Sequence, residues 1–131
     1  MDEAAGNARP RPTVLVIDDE DYVGDMIATV LRLEGYQTEM AYNGRDGLAL
    51  ALGARADLLI VDIMMPYLSG TKLVAELRAA RAELAGTPVI LISAGAKPAD
   101  ELPGVRFLAK PFEINTLMEL VQLLIGPGDP A

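Results

Sequence analysis

From residue 13 onward the chain alternates short aliphatic, β-rich runs with longer stretches whose apolar residues recur at helical spacing. The runs are 13–17 (TVLVI), 37–41 (QTEMA), 57–61 (DLLIV), 88–92 (PVILI) and 105–109 (VRFLA). Apolar strands alternating with helical stretches are the pattern of a parallel sheet covered by helices on both faces. The spacing predicts a first helix over 21–34, with Val23, Met26, Ile27, Val30 and Leu31 on one face and Gly35 as its stop. A second fits 44–53, opened by Asn43 as a cap and carrying Leu48, Leu50 and Leu52. A third covers 70–85, with Leu73, Val74, Leu77 and Leu84, and stops at Gly86. The last covers about 113–125 and ends at GPGDPA, which cannot continue a helix.

The pattern falters in one place. Between Ile92 and Val105 only twelve residues remain, SAGAKPADELPG, so the helix expected there is shortened or irregular. At most one or two turns fit over 98–102, with Pro98 in the first turn and Pro103 ending them. Residues 1–12 are small, charged and proline-bearing and read as a disordered tail; 13–125 read as the folded unit, and 126–131 as a tail or the start of a linker.

Composition narrows the chemistry. In 131 residues a 51% apolar share is enough for one core without staples. The chain has no Cys and no His, which removes disulfides, thiolate nucleophiles and imidazole bases and ligands. Carboxylates, hydroxyls and lysines are left to act. A formal charge of -8, with no basic cluster among eleven Lys and Arg, argues against direct binding to nucleic acid. No apolar run is long enough for membrane insertion and the first residues lack a secretory segment, so a cytoplasmic location is expected.

Polar residues close four of the strands: Asp18 and Asp19 after the first, Asp62 after the third, Ser93 after the fourth and Lys110 after the fifth. In a parallel sheet these ends share the carboxyl edge, where ligands of open α/β folds bind. Three carboxylates gathered there repel one another unless a cation compensates, and a hard ion such as Mg²⁺ prefers oxygen ligands. A cation, a lysine and a hydroxyl around one carboxylate are the groups needed to stabilise a phosphoryl group on it. Taken singly, each residue has an ordinary reading: Asp62 as a turn aspartate, the acidic pair as helix caps, Ser93 as a loop serine, Lys110 as a solvated lysine.

On these residues the chain resembles the receiver domain of bacterial two-component response regulators over about 13–125. Asp18 with Asp19, Asp62 in VDIMMP, Ser93 in LISA and Lys110 in AKPF follow that family's order. The resemblance implies a flavodoxin-like doubly wound five-stranded parallel sheet in the order 2-1-3-4-5. It implies Mg²⁺ bound by Asp18, Asp19, Asp62 and the Met64 backbone carbonyl, with Asp62 taking phosphate from a sensor histidine kinase or a histidine phosphotransfer protein. Ser93 and Lys110 would meet the phosphoryl group, and Phe107 would turn inward as a switch residue. Tyr22, Val23 and Met26 on the first helix would dock the phosphodonor. Met64 and Gly95 lie where the family controls the hydrolytic water, and neither offers a polar side chain.

The resemblance makes the chain a phosphoacceptor rather than an enzyme, controlling a downstream protein or its own association. In the last helix the spacing leaves Leu120 and Leu123 toward solvent, a candidate interaction patch beside the shortened segment. Two alternatives stand against this reading. A haloacid dehalogenase-like phosphatase would use Asp19 and Asp21, but that puts the nucleophile on the first strand and leaves no room for a cap domain. A phosphorylation-independent scaffold would have no need of the full set of acids, hydroxyl and lysine.

Overall fold

The computed structural model describes residues 11–95 and 102–129. Five parallel strands form one sheet: β1 (Thr13–Ile17), β2 (Gln37–Ala41), β3 (Leu58–Asp62), β4 (Val89–Ser93) and β5 (Val105–Ala109). Their spatial order is β2-β1-β3-β4-β5. The helices are α1 (Asp21–Leu33), α2 (Gly44–Gly53), α3 (Gly70–Ala80) and α4 (Ile114–Ile125). Residues 1–10 of the tail expected at 1–12 and most of the segment expected over 98–102 lie outside the described residues.

Alternation along the strands sorts the core into two layers. Val14, Val16, Leu58, Ile60, Ile90 and Ile92 pack against Ile27 and Leu31 of α1 and Leu117 and Val121 of α4. Their neighbours Leu15, Ile17, Leu59, Val61 and Leu91 pack on the other face against Ala51 of α2 and Leu73, Val74 and Leu77 of α3. Every residue of β3 and β4 is buried, which is why those strands carry unbroken aliphatic runs.

Two strands begin one residue later than the sequence pattern predicts. The Asp57 carboxylate accepts from the Thr13 backbone N–H at 2.8 Å, so it ties off β1 while the ladder of β3 starts at Leu58. Pro88 has no N–H, and β4 starts at Val89. Both shifts bring the polar residues Asp62 and Ser93 into the strands themselves.

The third helix is shorter than expected. It stops at Ala80, Arg81 is extended (φ -140°), and a 3₁₀ turn follows at Ala82–Gly86. Arg81 explains the break, because its Nη1 donates to the Leu52 carbonyl at the end of α2 at 2.8 Å and its Nε to Glu83 at 3.1 Å. Helical backbone at this residue gives way to an extended one that serves an open carbonyl of the neighbouring helix. The second helix follows the pattern: Asn43 Oδ1 accepts from the Asp46 N–H at 2.7 Å.

After α4 the chain turns back over the α1–β2 turn. The Tyr36 hydroxyl donates to the Gly126 carbonyl at 2.6 Å, and the Asp129 N–H to the Gly35 carbonyl at 3.1 Å. Gly35 (φ +93°) has no room for a Cβ, which would run into the Asp129 backbone. Leu123 is 69% exposed, but Leu120 is half-buried against the α1/α4 layer. The expected outward pair is therefore corrected: Leu120 lies three residues from Leu117 and four from Leu124, on the core-facing side of α4.

Candidate functional site

Register brings the polar strand ends together. Ile17 pairs with Val61, which sets Asp18, the next residue, level with Asp62. Asp62 pairs with Ile92 and Ser93 with Ala109, so Ser93 and Lys110 follow along the same edge. The start of α3 lies directly against this edge: a Cβ at Gly70 would collide with the Asp62 carbonyl oxygen. That close approach, invisible as a motif, is one way the fold holds the third strand end in place.

Asp18, Asp62 and Ser93 are all buried. Asp18 Oδ1 accepts from the Glu20 N–H at 2.9 Å, and Asp62 Oδ1 from the Met64 N–H at 3.1 Å. Ser93 Oγ accepts from the Gly95 N–H at 2.9 Å. Lys110 reaches over the acids, with Nζ 3.5 Å from Asp62 Oδ2, 3.7 Å from Asp18 Oδ2 and 2.8 Å from Glu20 Oε1. The Lys110–Pro111 peptide bond is cis.

Charge and burial conflict here. Burial pushes the Asp18 carboxyl from 3.8 up to about 7, and the neighbouring Asp62 adds to the rise; the Glu20 N–H and Lys110 act against it. Asp19 is raised for the same two reasons, burial and Asp62. Burial alone would lower Lys110, but the Glu20 hydrogen bond and the charges of Asp18, Asp62 and Glu20 raise it above its ordinary value.

Carboxylate oxygens of Asp18, Glu20 and Asp62 lie within 4.8 Å of one another. An all-oxygen set in which burial, with Asp62 beside it, already disfavours the ionised form of Asp18 fits a hard divalent cation, which would compensate the gathered negative charge. Asp19 stands to one side, half-buried, between these acids and a groove walled by Tyr42, Asn43, Pro66 and Tyr67. Glu20 was not among the candidates of the sequence pattern. Its signal was the third consecutive acid in IDDED, hidden because a glutamate just before a helix reads as solvated.

The remaining candidates lie around this centre. Met64 is 64% exposed at its rim. Phe107 is half-buried, paired with Leu91 on the sheet face that carries α2 and α3. Tyr22 is 83% and Met26 39% exposed, whereas Val23 is half-buried against the core. Val23 and Met26 line a depression with Glu20, Lys110, Pro111 and Phe112, next to the acids. A cavity of about 800 Å³ opens at the opposite edge of the sheet, lined by Thr13, Asp57 and Pro88, far from this chemistry. No helix among the described residues is long and apolar enough to cross a membrane.

A doubly wound parallel sheet with acids, a hydroxyl and a lysine on one carboxyl edge defines a narrow class of protein, and the comparisons with known proteins agree. The chain belongs to the response regulator receiver domain family, whose model matches residues 14–122. It is 33% identical over 117 residues to the transcriptional regulatory protein PcoR of Escherichia coli, an alignment covering 86% of this chain and 50% of PcoR. The chain thus spans about half the length of that relative. Among solved structures it is similar to the chemotaxis protein CheY4 of Vibrio cholerae (TM-score 0.80, 29% identity, covering 88% of this chain and 99% of that one). It is also similar to the response regulator TrrA of Thermotoga maritima in complex with Mg²⁺ and BeF (TM-score 0.75, 29% identity, covering 86% and 98%). The chain is a two-component phosphoacceptor receiver.

Proposed function

We propose that Asp62 is the phosphoacceptor and that a histidine of a sensor kinase or phosphotransfer protein is its donor. The observation that carries the reading is the meeting of buried Asp18 and Asp62 with the Lys110 ammonium at 3.7 and 3.5 Å. Asp18, Asp19, Asp62 and the Met64 carbonyl would hold Mg²⁺, which when bound supplies charge neutralisation for the phosphoryl oxygens.

One Asp62 oxygen attacks phosphorus as the P–N bond to the donor imidazole breaks. The electron pair of that bond stays on the imidazole nitrogen, which is protonated from water, and no electrons are gained or lost. Lys110 neutralises a phosphoryl oxygen, and Ser93 exchanges its Gly95 bond for one to another. Phe107, half-buried on the edge strand, turns inward as Ser93 moves. Tyr22, Val23 and Met26 contact the donor beside the depression that opens on Lys110. The product is a modified receiver that acts on a downstream protein or on a second copy; there is no separate substrate to turn over.

Incubation with Mg²⁺ and acetyl phosphate should add one phosphoryl group, mapped to Asp62 and lost in Asp62→Asn. Modification at Asp19, or multiple turnover on small phosphate esters, would instead support the dehalogenase-like phosphatase. Full partner regulation by the unphosphorylated Asp62→Asn protein would support the scaffold.

A further inference from the structure

Glu20 holds the N-cap position of α1, yet its side chain makes no capping hydrogen bond. Caps favour Ser, Thr, Asp or Asn, whose short side chains reach the open N–H groups of the first turn. Here the side chain extends away from the helix to the ammonium of a residue 90 positions later, Lys110, at 2.8 Å. That is the shortest of the three ion pairs Lys110 makes among the described residues, ahead of Asp62 at 3.5 Å and Asp18 at 3.7 Å.

The three partners are not equivalent. Asp18 and Asp62 are buried, whereas the Glu20 side chain is 59% exposed at the mouth of the depression lined by Met26 and Pro111. Its backbone is fixed, because the Glu20 N–H also orients Asp18. A phosphoryl group arriving on Asp62 needs the Lys110 ammonium on its own oxygens, and among the described residues the nearest carboxylate to that ammonium is Glu20.

We infer that Glu20 is a positioning residue, a latch that draws the Lys110 ammonium toward the mouth of the site and must release it before Lys110 can meet the incoming phosphoryl group. This rests on the reading of Asp62 as phosphoacceptor. The latch is built to yield. An exposed pair is worth little and is weakened further by salt, so it retards the reaction without blocking it. It also makes the rate of phosphorylation depend on ionic strength through one contact.

The test compares wild type with Glu20→Gln, Glu20→Asp and Asp62→Asn, each with Mg²⁺ and acetyl phosphate at low and high salt. Glu20→Gln should be phosphorylated about two- to five-fold faster than wild type at low salt, the range an exposed ion pair supports. The gap should close at high salt, where the Debye length is a few ångströms. Glu20→Asp separates the latch from simple repulsion of an anionic donor at the mouth. It keeps the charge but is one methylene too short for the 2.8 Å bond, so it should behave like Glu20→Gln.

Nitrogen-detected titration of the Lys110 ammonium should move to lower pH in both Glu20 variants, a shift that a merely structural role would not produce. Equal rates in wild type and Glu20→Gln, slower phosphorylation in Glu20→Gln, wild-type behaviour of Glu20→Asp, or an unmoved Lys110 titration would each overturn the latch. Phosphorylation of Asp62→Asn would overturn the phosphoacceptor reading instead, whatever the Glu20 variants do.

Discussion

Replacing Asp18 with asparagine should change how this protein responds to pH and to Mg²⁺ together. Asp18 is 2% exposed, and burial, assisted by Asp62, lifts its carboxyl from 3.8 to about 7. Such a rise corresponds to about 4 kcal/mol against the ionised form at 1.36 kcal/mol per pKa unit. Exposed Glu20 and Met64 admit water at the rim, so screening leaves about 2 kcal/mol.

The sign follows from linkage. Between about pH 4 and 7 the folded chain holds a proton on Asp18 that the unfolded chain has lost. The Asp18 contribution to metal-free stability is therefore greatest below about pH 4 and declines as pH rises to about 7. Mg²⁺ held on Asp18 as proposed would have to displace that proton, so below pH 7 its apparent affinity should fall as the pH falls, by up to about tenfold per pH unit.

Urea unfolding from pH 4.5 to 8 in chelator, and calorimetric Mg²⁺ titration in buffers of different ionisation enthalpy, measure the two effects. Asp18→Asn should flatten most of the stability slope, the remainder coming from Asp19, which is raised in the same direction. It should also remove the proton release on binding. Equal pH slopes in wild type and Asp18→Asn, or Mg²⁺ binding without proton release at pH 6, would refute the reasoning.

Three further outcomes follow from packing. Gly70→Ala sets a methyl against the Asp62 carbonyl, so it should slow phosphorylation about tenfold by displacing the proposed phosphoacceptor, checked by acetyl phosphate kinetics. Gly35→Ala places a Cβ at φ +93° into the Asp129 backbone and should cost about 2 kcal/mol in urea unfolding; removing residues 126–131 from that variant should return part of the loss. Asn43→Ala removes the 2.7 Å cap of α2 and should cost about 1 kcal/mol while leaving the phosphorylation rate unchanged.

Much of the architecture was legible along the chain because it is written at short range. Unbroken aliphatic runs in β3 and β4 announce strands covered on both faces, and apolar spacing with Asn43 and Gly35 marks helix ends that the structure keeps within a residue. The site was legible for a related reason. In a parallel sheet all carboxyl ends lie on one edge, so Asp18, Asp62, Ser93 and Lys110 meet once the strands are recognised.

What was misread needed a partner distant in sequence. Arg81 breaks α3 to reach Leu52, twenty-nine residues earlier, and Leu120 is drawn against the core by a helix rotation that periodicity leaves open. Glu20 became visible only when Lys110 arrived from ninety residues away, and the chain after α4 is held by Tyr36 at the same separation. By itself, then, the sequence determined the order of elements, the two-layer core and the residue types at the carboxyl edge. The tertiary structure alone decided which carboxylate holds the lysine, where α3 ends and how the chain returns after α4. Periodicity encodes the surface a segment must bury, whereas an individual ion pair or hydrogen bond depends on strand order and register, which no single segment contains.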